Sequence, residues 1–473
     1  MMSVTENEVD FNSLEREIFK SCCAAGREAI REQLESWDGE LMLTRDRRVL
    51  RHKGKRKTVI KTIMGEVEYD RACYERRNED GTKSFVYLLD EAMGISGSGY
   101  MSGLLSEQIA EAVCAGSYRH AAQSISDMTG QRISHTAAWG VAQQLGARVD
   151  AQEQTSAVLA TQNKGCGEIE SKVLFEEQDG IWLHLQGKSR EKHGKSKEMK
   201  VAIAYDGTKK QSENRYKLTN KVATANFEET GSFFHRKEGK IAESYCVDEI
   251  ETRILNGDGA SWIKRSVTDE TVIFQLDTFH RNKAIREYVS NPDIQKEIFR
   301  LLYSKNIDLL LDYIEALSNS VDNEKEREKL QTLHTYFSSN KDGLIAWQQR
   351  GLDLPKTCDD KEYRHLGAME SNIFTIIGNR MKGGRACWSV DGGNNLARLL
   401  TLNHTGKLHE TLDNLTTWTL PQRYAEEICV KMTCSKAPKY DGKGYEPIRA
   451  GAAPSTPKYK SLQEIGRSNG FMF

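Results

Sequence analysis

Apolar positions recur with different periods along the chain, and each change of period marks a change of element. Leu14, Ile18 and Cys22 stand four apart and predict an N-terminal helix that ends near Trp37-Asp38-Gly39. After a basic stretch, Val67, Tyr69, Arg71 and Cys73 alternate with Glu66, Glu68, Asp70 and Ala72. Gly65 supplies a turn, so a β-hairpin is expected there. From Leu104 to Gly146 the pattern is helical without a break. One helix ends at Thr129-Gly130, and Ser134 is placed to cap a second that turns Ala137, Val141 and Leu145 inward. These are helix-turn-helix proportions, although an ordinary helical hairpin has the same ones.

The polar stretch 151–172 reads as a linker. Strand-like segments follow: KVLFEEQDGIWLHLQG, MKVAIAYDG and NRYKLTNKVATANF, then a helix near Val247 to Leu255, the segment NGDGASWIK and the strand TVIFQLDTFH. Strands meeting helices in this order predict a mixed α/β sheet. Ile294, Ile298, Leu301 and Leu302 fit one amphipathic helix, Ile307, Leu310, Leu311, Ile314 and Leu317 another, and the charged EKEREKLQ a third. Together they predict an all-α insertion. LGAMESNIFTIIGNRMKGG reads as the last helix, and five of the seven prolines lie from Pro421 onward, which predicts an irregular tail. The expected division is 1–100 (N-terminal helix and basic hairpin), 101–150 (helix-turn-helix), 173–281 (first part of the α/β core), 282–362 (helical insertion), 363–420 (final helix region of the core) and 421–473 (tail).

Composition narrows the class only a little. A chain of 473 residues exceeds one compact core, so two to four domains are expected, and 38% apolar residues, about 46% with the 37 glycines counted, is ordinary for a globular protein. No run approaches the roughly 18 apolar residues of a membrane span, and the start MMSVTENEVD is polar, so a cytoplasmic protein without a membrane partner is expected. The ten cysteines include no CxxC pair and read as reduced thiols. Net charge is -1, yet twelve Lys or Arg stand against five Asp or Glu between Arg45 and Arg77, and six against two between Lys188 and Lys200. Such blocks attract phosphate backbones, and solvated loops carry them too. Lys55, Arg56 and Lys57 on the hairpin, and His135 and Thr136 on the second helix of the pair, are the candidate DNA contacts.

Three carboxylates occupy distinctive contexts. Asp179 lies within the apolar VLFEEQDGIWLHL, Asp258 precedes Gly-Ala-Ser-Trp, and Glu370 sits on an amphipathic helix. Carboxylates from separate elements can hold magnesium, a hard cation that seeks oxygen. Asp-Gly is also a common turn dipeptide, however, and it recurs at Asp38, Asp80, Asp206, Asp342, Asp391 and Asp441. Residue type and spacing therefore do not select these three.

A resemblance does. QDGIWLHLQ, LNGDGASWIK, FQLDTFHRNKAIREY and GAMESNIFTIIGNRMKGGRACWSVDGGNNLARLL, together with YLLDEAMG and SYRHAA, resemble the ISLre-type insertion-sequence transposases, a group related in layout to the Mutator-like bacterial DDE transposases. The likeness runs over most of the chain and stops near residue 420. It implies an RNase H-like catalytic core, interrupted by a helical insertion and preceded by a mainly helical DNA-binding region with a β-hairpin. In that frame Asp179, Asp258 and Glu370 match the catalytic triad. The separation of 112 positions from Asp258 to Glu370 leaves room for the helices read from periodicity.

The same resemblance implies further roles. His280 would stand near the scissile phosphate, with Arg281 beside it; a strand-end cap is the plain alternative, and Asp277 is the substitute second acid. From residue type and position alone, Arg380, Lys382 and Arg385, on and just after the Glu370 helix, are candidates to neutralise phosphates, although a solvated helix terminus carries the same charges; Trp388 is a candidate to stack on a base, although tryptophan is more often core, and Trp262 reads as core. The implied chemistry is transesterification by two Mg²⁺, with Mn²⁺ able to substitute: water cuts each element end, and the freed 3′-hydroxyl attacks target DNA. The implied partners are the element's terminal inverted repeats and target DNA, held by a homodimer or higher oligomer because two ends must be joined. Two other readings compete. A catalytically inactive or domesticated helix-turn-helix regulator would bind end DNA without nicking it, and another RNase H-like nuclease would cut without joining.

Overall fold

The computed structural model describes residues 10–416 apart from 79, 95–100, 166, 214 and 358–360; the expected irregular tail at 421–473 lies outside the described residues. The chain is mixed α/β. It opens with a long helix, α1 (Phe11–Thr44), followed by a three-stranded antiparallel sheet of β1 (Leu50–Thr62), β2 (Gly65–Arg77) and β3 (Lys83–Val86), and by the short α2 (Leu88–Ala92). Helix α1 does not end at Trp37-Asp38-Gly39. Trp37 is buried against Ile60, Val67 and Tyr69 of the hairpin, and both Asp38 carboxylate oxygens accept from the Ala72 N–H of β2. That docking outweighs the roughly 1 kcal/mol a mid-helix glycine costs.

Helices α3 (Gly103–Ala115), α4 (Tyr118–Thr129) and α5 (His135–Thr161) come next, with the Ser134 hydroxyl accepting from the Ala137 N–H as the cap. Ala138, Val141 and Leu145 face inward, with Ala137 half-buried. These helices share one apolar core with the central sheet and the C-terminal helices. The polar residues 151–161, read as linker, are the second half of α5. Their one carboxylate points at cations on neighbouring helices: Glu153 is buried and meets Arg236 and Arg398.

The central sheet has five strands in the order β10-β9-β4-β5-β8. Strand β4 (Val173–His184) runs through α6 (Gly187–His193) into β5 (Ser196–Tyr205), its antiparallel neighbour. Strands β6 (Thr208–Ser212) and β7 (Arg215–Leu218) form a side hairpin before β8 (Val222–Asn226), which is antiparallel to β5. Helix α7 (Thr230–Ser244) crosses back to β9 (Thr252–Gly257), parallel to β4; then α8 (Ser261–Lys264) leads to β10 (Val272–Leu276), parallel to β9. The helix expected near Val247 to Leu255 is instead a 3₁₀ turn, Val247–Glu249, and strand β9. A parallel strand covered on both faces shows a continuous apolar run, not alternation, so periodicity alone misreads it.

Helix α9 (Thr278–Tyr288) leads into α10 (Pro292–Tyr303), α11 (Ile307–Ser320) and α12 (Glu324–Ser339), which close on an apolar core of their own built around Ile298, Leu310, Ile314, Leu333 and Phe337. The chain returns through β11 (Lys361–Glu362), which pairs with β6, to α13 (Met369–Ile373), a π-helical turn Phe374–Gly378, and α14 (Asn379–Met381). That is not the last helix: α15 (Val390–Thr405) and α16 (Leu408–Thr416) follow. Asp391-Gly392-Gly393 looks like a loop in sequence, but Gly393 lies against the Phe227 ring, where a Cβ would stand 2.7 Å from it, and Asn394 accepts from the Phe227 N–H. Among the described residues no helix is long and apolar enough to cross a membrane.

Candidate active site

The C-terminal ends of β9 and β10 lie beside the middle of the parallel strand β4. Gln178 of β4 lies opposite Gly257 of β9, and Gly257 lies opposite Leu276 of β10. Asp179, Asp258 and Asp277 are the next residue on each strand. The Asp179-Gly180 pair is therefore not a turn but the interior of β4. At Gly180 the Glu198 side chain of β5 packs close, so that a Cβ there would stand 2.0 Å from its carboxylate oxygen and the Glu198 side chain would have to move. Asp258 ends its strand in an Asx turn, accepting from the Ala260 N–H at 2.8 Å, with Gly259 at φ +87 behind it. The insertion reaches this point, since the Tyr336 hydroxyl of α12 donates to the Asp258 carbonyl at 2.8 Å.

Glu370 arrives from the far side, in the first turn of α13 and exposed. Its helix is held by a residue that sequence reasoning missed. Glu177 of β4, 0% exposed, accepts from the Gly367, Ala368 and Met369 N–H groups at 3.0, 3.1 and 3.1 Å, from the Tyr205 hydroxyl at 2.7 Å and from the Asn256 amide at 3.2 Å. A carboxylate on the unsatisfied N–H groups of a helix start is favoured by hydrogen bonding and by the helix dipole. Burial pushes the Glu177 carboxyl up and these donors oppose it; burial and Glu177 raise the Tyr205 hydroxyl well above its ordinary value. The signal available in sequence was an acid two residues before Asp179 in an otherwise buried strand.

A cleft of about 20 Å³, room for roughly one water molecule, is lined by Asp179, Asp277, Phe279, His280, Met369 and Glu370. Burial pushes the Asp179 carboxyl up to about 6; the Gly180 N–H and His280 oppose this, while Asp258 and Glu370 add to it. Asp277 is engaged elsewhere. It caps α9 by accepting from the His280 N–H at 3.1 Å, accepts from Asn256 at 2.8 Å and meets His280 Nδ1 at 3.2 Å. Burial works against its carboxylate, yet these bonds hold it below the usual range, and the bond to Asp277 raises His280. Asp277→Asn should keep the helix cap, because Asn caps as well as Asp, and should lower the His280 pKa; an unchanged imidazole titration by NMR would show that Asp277 does not hold the ring.

Among the described residues no three His, Cys, Asp or Glu side chains are gathered closely enough to hold an ion as they stand. The remaining candidates divide clearly. Trp388 is 7% exposed and donates its indole N–H to the Met381 carbonyl, so it belongs to the core and cannot stack on a base; Trp262, 8% exposed against Phe233, is core as expected. Arg380 is also turned inward. It donates to the Val113 carbonyl, with its guanidinium 5.3 and 5.4 Å from the Tyr118 and Trp388 ring centres, and burial lowers its pKa. Arg281 bonds the Leu344 carbonyl and ties α9 to the insertion. Lys382 and Arg385 are exposed beyond α14, His135 and Thr136 are exposed at the start of α5, and Lys55, Arg56 and Lys57 are exposed on β1, where Lys57 pairs with Glu68 at 2.6 Å. None of these last seven lines the acidic cleft.

Residues 4–413 match the model of an Uncharacterised protein family (UPF0236). A UPF0236 protein from the vanSb 3′ region of Streptococcus gallolyticus is 25% identical over 355 residues, covering 73% of this chain and 72% of that one. A UPF0236 protein of Caldanaerobacter subterraneus subsp. tengcongensis is 23% identical over 418 residues, covering 86% and 81%. Among solved structures, the Drosophila P element transposase strand transfer complex aligns over 74% of this chain and 90% of its own at 12% identity, with a TM-score of 0.20, too low to bear on the fold. The match across the body of the sequence decides membership: the chain belongs to the UPF0236 family.

Proposed function

We propose that this protein is a DNA strand-transfer enzyme of the DDE class, an insertion-sequence transposase, in which Asp179, Asp258 and Glu370 hold Mg²⁺ or Mn²⁺. The observation that carries the reading is the register of β4 and β9, which sets Asp179 level with Asp258, together with an Asp179 carboxyl raised by its burial and by the two other acids. Asp179 and Asp258, half-buried, and Glu370, exposed, are carboxylates from three separate elements, the donor type a hard divalent ion takes. The sheet adds support. Three antiparallel strands in sequence, β4, β5 and β8, followed by two parallel strands added on the other side of β4, have the order and polarity of an RNase H-like core. The Caldanaerobacter relative carries eleven locus designations in its name, as dispersal of one reading frame around a chromosome would produce.

When bound, magnesium would activate the attacking oxygen and offset charge on the leaving one. The protein's share is placement and proton control. The interior of β4 presents Asp179 beside Asp258 at the end of β9, and Glu177 fixes the helix that offers Glu370. His280, its proton favoured by Asp277 and Asp179, is the nearby group able to give a proton to a leaving oxygen. The decisive experiment supplies purified protein, Mg²⁺ and DNA from the element's ends with a supercoiled plasmid. Joining of the oligonucleotide 3′ end to the plasmid is expected; cuts without joining would assign a nuclease, and end binding without cuts a regulator.

A further inference from the structure

The strands of the central sheet do not end together. Strands β9 and β10 stop at Gly257 and Leu276, level with Gln178 of β4, whereas β4 and β5 continue as a pair as far as His184 and Ser196. Five residues of extended chain carry His184 roughly 17 Å past Asp179. One face of this arm buries Ile181, Leu183 and Leu185 in the main core, and the other leaves Trp182, His184 and Gln186 exposed. Helix α6 lies at the tip. Between Gly187 and Lys197 five Lys or Arg stand against one Glu.

A second basic segment is stitched to this tip from a distant part of the sequence. Trp388 bridges Leu185 in parallel; its N–H donates to the His184 carbonyl and its carbonyl accepts from the Gln186 N–H, both at 2.9 Å. The Val390 N–H donates to the Ser189 hydroxyl of α6 at 3.0 Å. Arg385 stands three residues before Trp388 and Lys382 six, so both cations are held on the same base as α6. Lys188, Arg190, Lys192, Lys195, Lys382 and Arg385 are exposed, and among the described residues none of the six makes an ion pair. The basic hairpin differs, since its Lys53 and Lys57 pair with Glu75 and Glu68 at 2.8 and 2.6 Å. Cations of one sign gathered on a fixed support attract a polyanion. We infer that α6 and the loop 382–387 form one phosphate-binding surface at the end of the β4 arm, which holds the DNA backbone roughly five nucleotides from the acids, at ~3.4 Å of rise each. The choice of DNA as the polyanion rests on the strand-transfer reading.

The test measures binding of the full chain to a fluorescein-labelled duplex of arbitrary sequence, in chelator, over a range of KCl concentrations. Lys192→Gln/Lys195→Gln and Lys382→Gln/Arg385→Gln should each lower the slope of log Kd against log salt by about two, one for each phosphate no longer neutralised. The effect should be equal for unrelated sequences, the melting temperature should not fall, and Lys192→Arg/Lys195→Arg should keep the wild-type slope. The hairpin variant Lys53→Gln/Lys57→Gln removes as much charge and should leave the slope unchanged. An unchanged slope in either of the first two variants, or an equal loss in the hairpin variant, would overturn the surface. Nicking in Mg²⁺ by a protein whose slope ignores α6 would sink the surface and leave the reaction standing. A slope loss in protein that never nicks would do the reverse, and a wild type that binds no duplex at low salt would remove both.

Discussion

Asp179→Asn, Asp258→Asn and Glu370→Gln should each reduce Mg²⁺-dependent nicking by roughly 10³-fold or more while leaving duplex affinity nearly unchanged. A ligand removed from the ion's shell forfeits several kcal/mol of transition-state charge stabilisation, and each ~1.4 kcal/mol is a factor of ten in rate. Phosphate binding elsewhere survives. Near-normal nicking by any one variant would strike that residue from the triad. Asp179→Asn carries a second, opposite signature. Its carboxyl sits at about 6 in the folded chain, above its ordinary value, because burial and two neighbouring acids disfavour the charge. The group therefore adds stability below about pH 4, and that contribution is lost as pH rises through 6. In chelator at pH 7.5 the Asn variant should be the more stable by on the order of 2 kcal/mol, and its melting temperature should not show the wild type's decline between pH 4 and 6. An unfolding curve at pH 7.5 in which Asn is no more stable than Asp would show that the acid is not crowded as described.

Glu177 should be the most sensitive position outside the triad. Glu177→Ala strands three backbone N–H groups, the Tyr205 hydroxyl and the Asn256 amide. With roughly 1–3 kcal/mol for each buried group left unpaired, a loss of at least ~4 kcal/mol is expected in urea unfolding. Glu177→Gln is the informative companion, since it keeps the shape and one acceptor but turns an amide toward donors. It should fold, bind duplex and nick about 10–100-fold more slowly, the range for residues that orient a metal ligand. Wild-type nicking by the Gln variant would show that Glu370 finds its place without this anchor.

Much of this architecture can be read from residue order, and the failures share a cause. The amphipathic helices of the insertion and the Ser134 cap show themselves because one face meets water and the other does not. Strand β9 and helix α15 escape a reading by period because each is covered on nearly every side, which erases the alternation. The second half of α5 looks like linker because its carboxylates face buried arginines of other helices, a pairing no local window contains. At the site, a family likeness selects the acids and local pattern alone does not, whereas Trp388 and Arg380, expected on DNA from residue type, are packing. Glu177 escapes notice because the helix start it holds, at Gly367, Ala368 and Met369, lies on the far side of the insertion.

Glu177 and Asp179 are two apart on β4, so they face the same side of the sheet, one gripping the helix start and the other facing the cleft. The helix that carries the third acid is thereby tied to the strand two residues of extended chain, roughly 7 Å, from the first acid, and not through the long excursion that separates them in sequence. Helices between β10 and β11 can lengthen, shorten or be exchanged without disturbing that gauge. A single residue added or removed between positions 177 and 179 would rotate one carboxylate to the opposite face and uncouple grip from chemistry at a stroke.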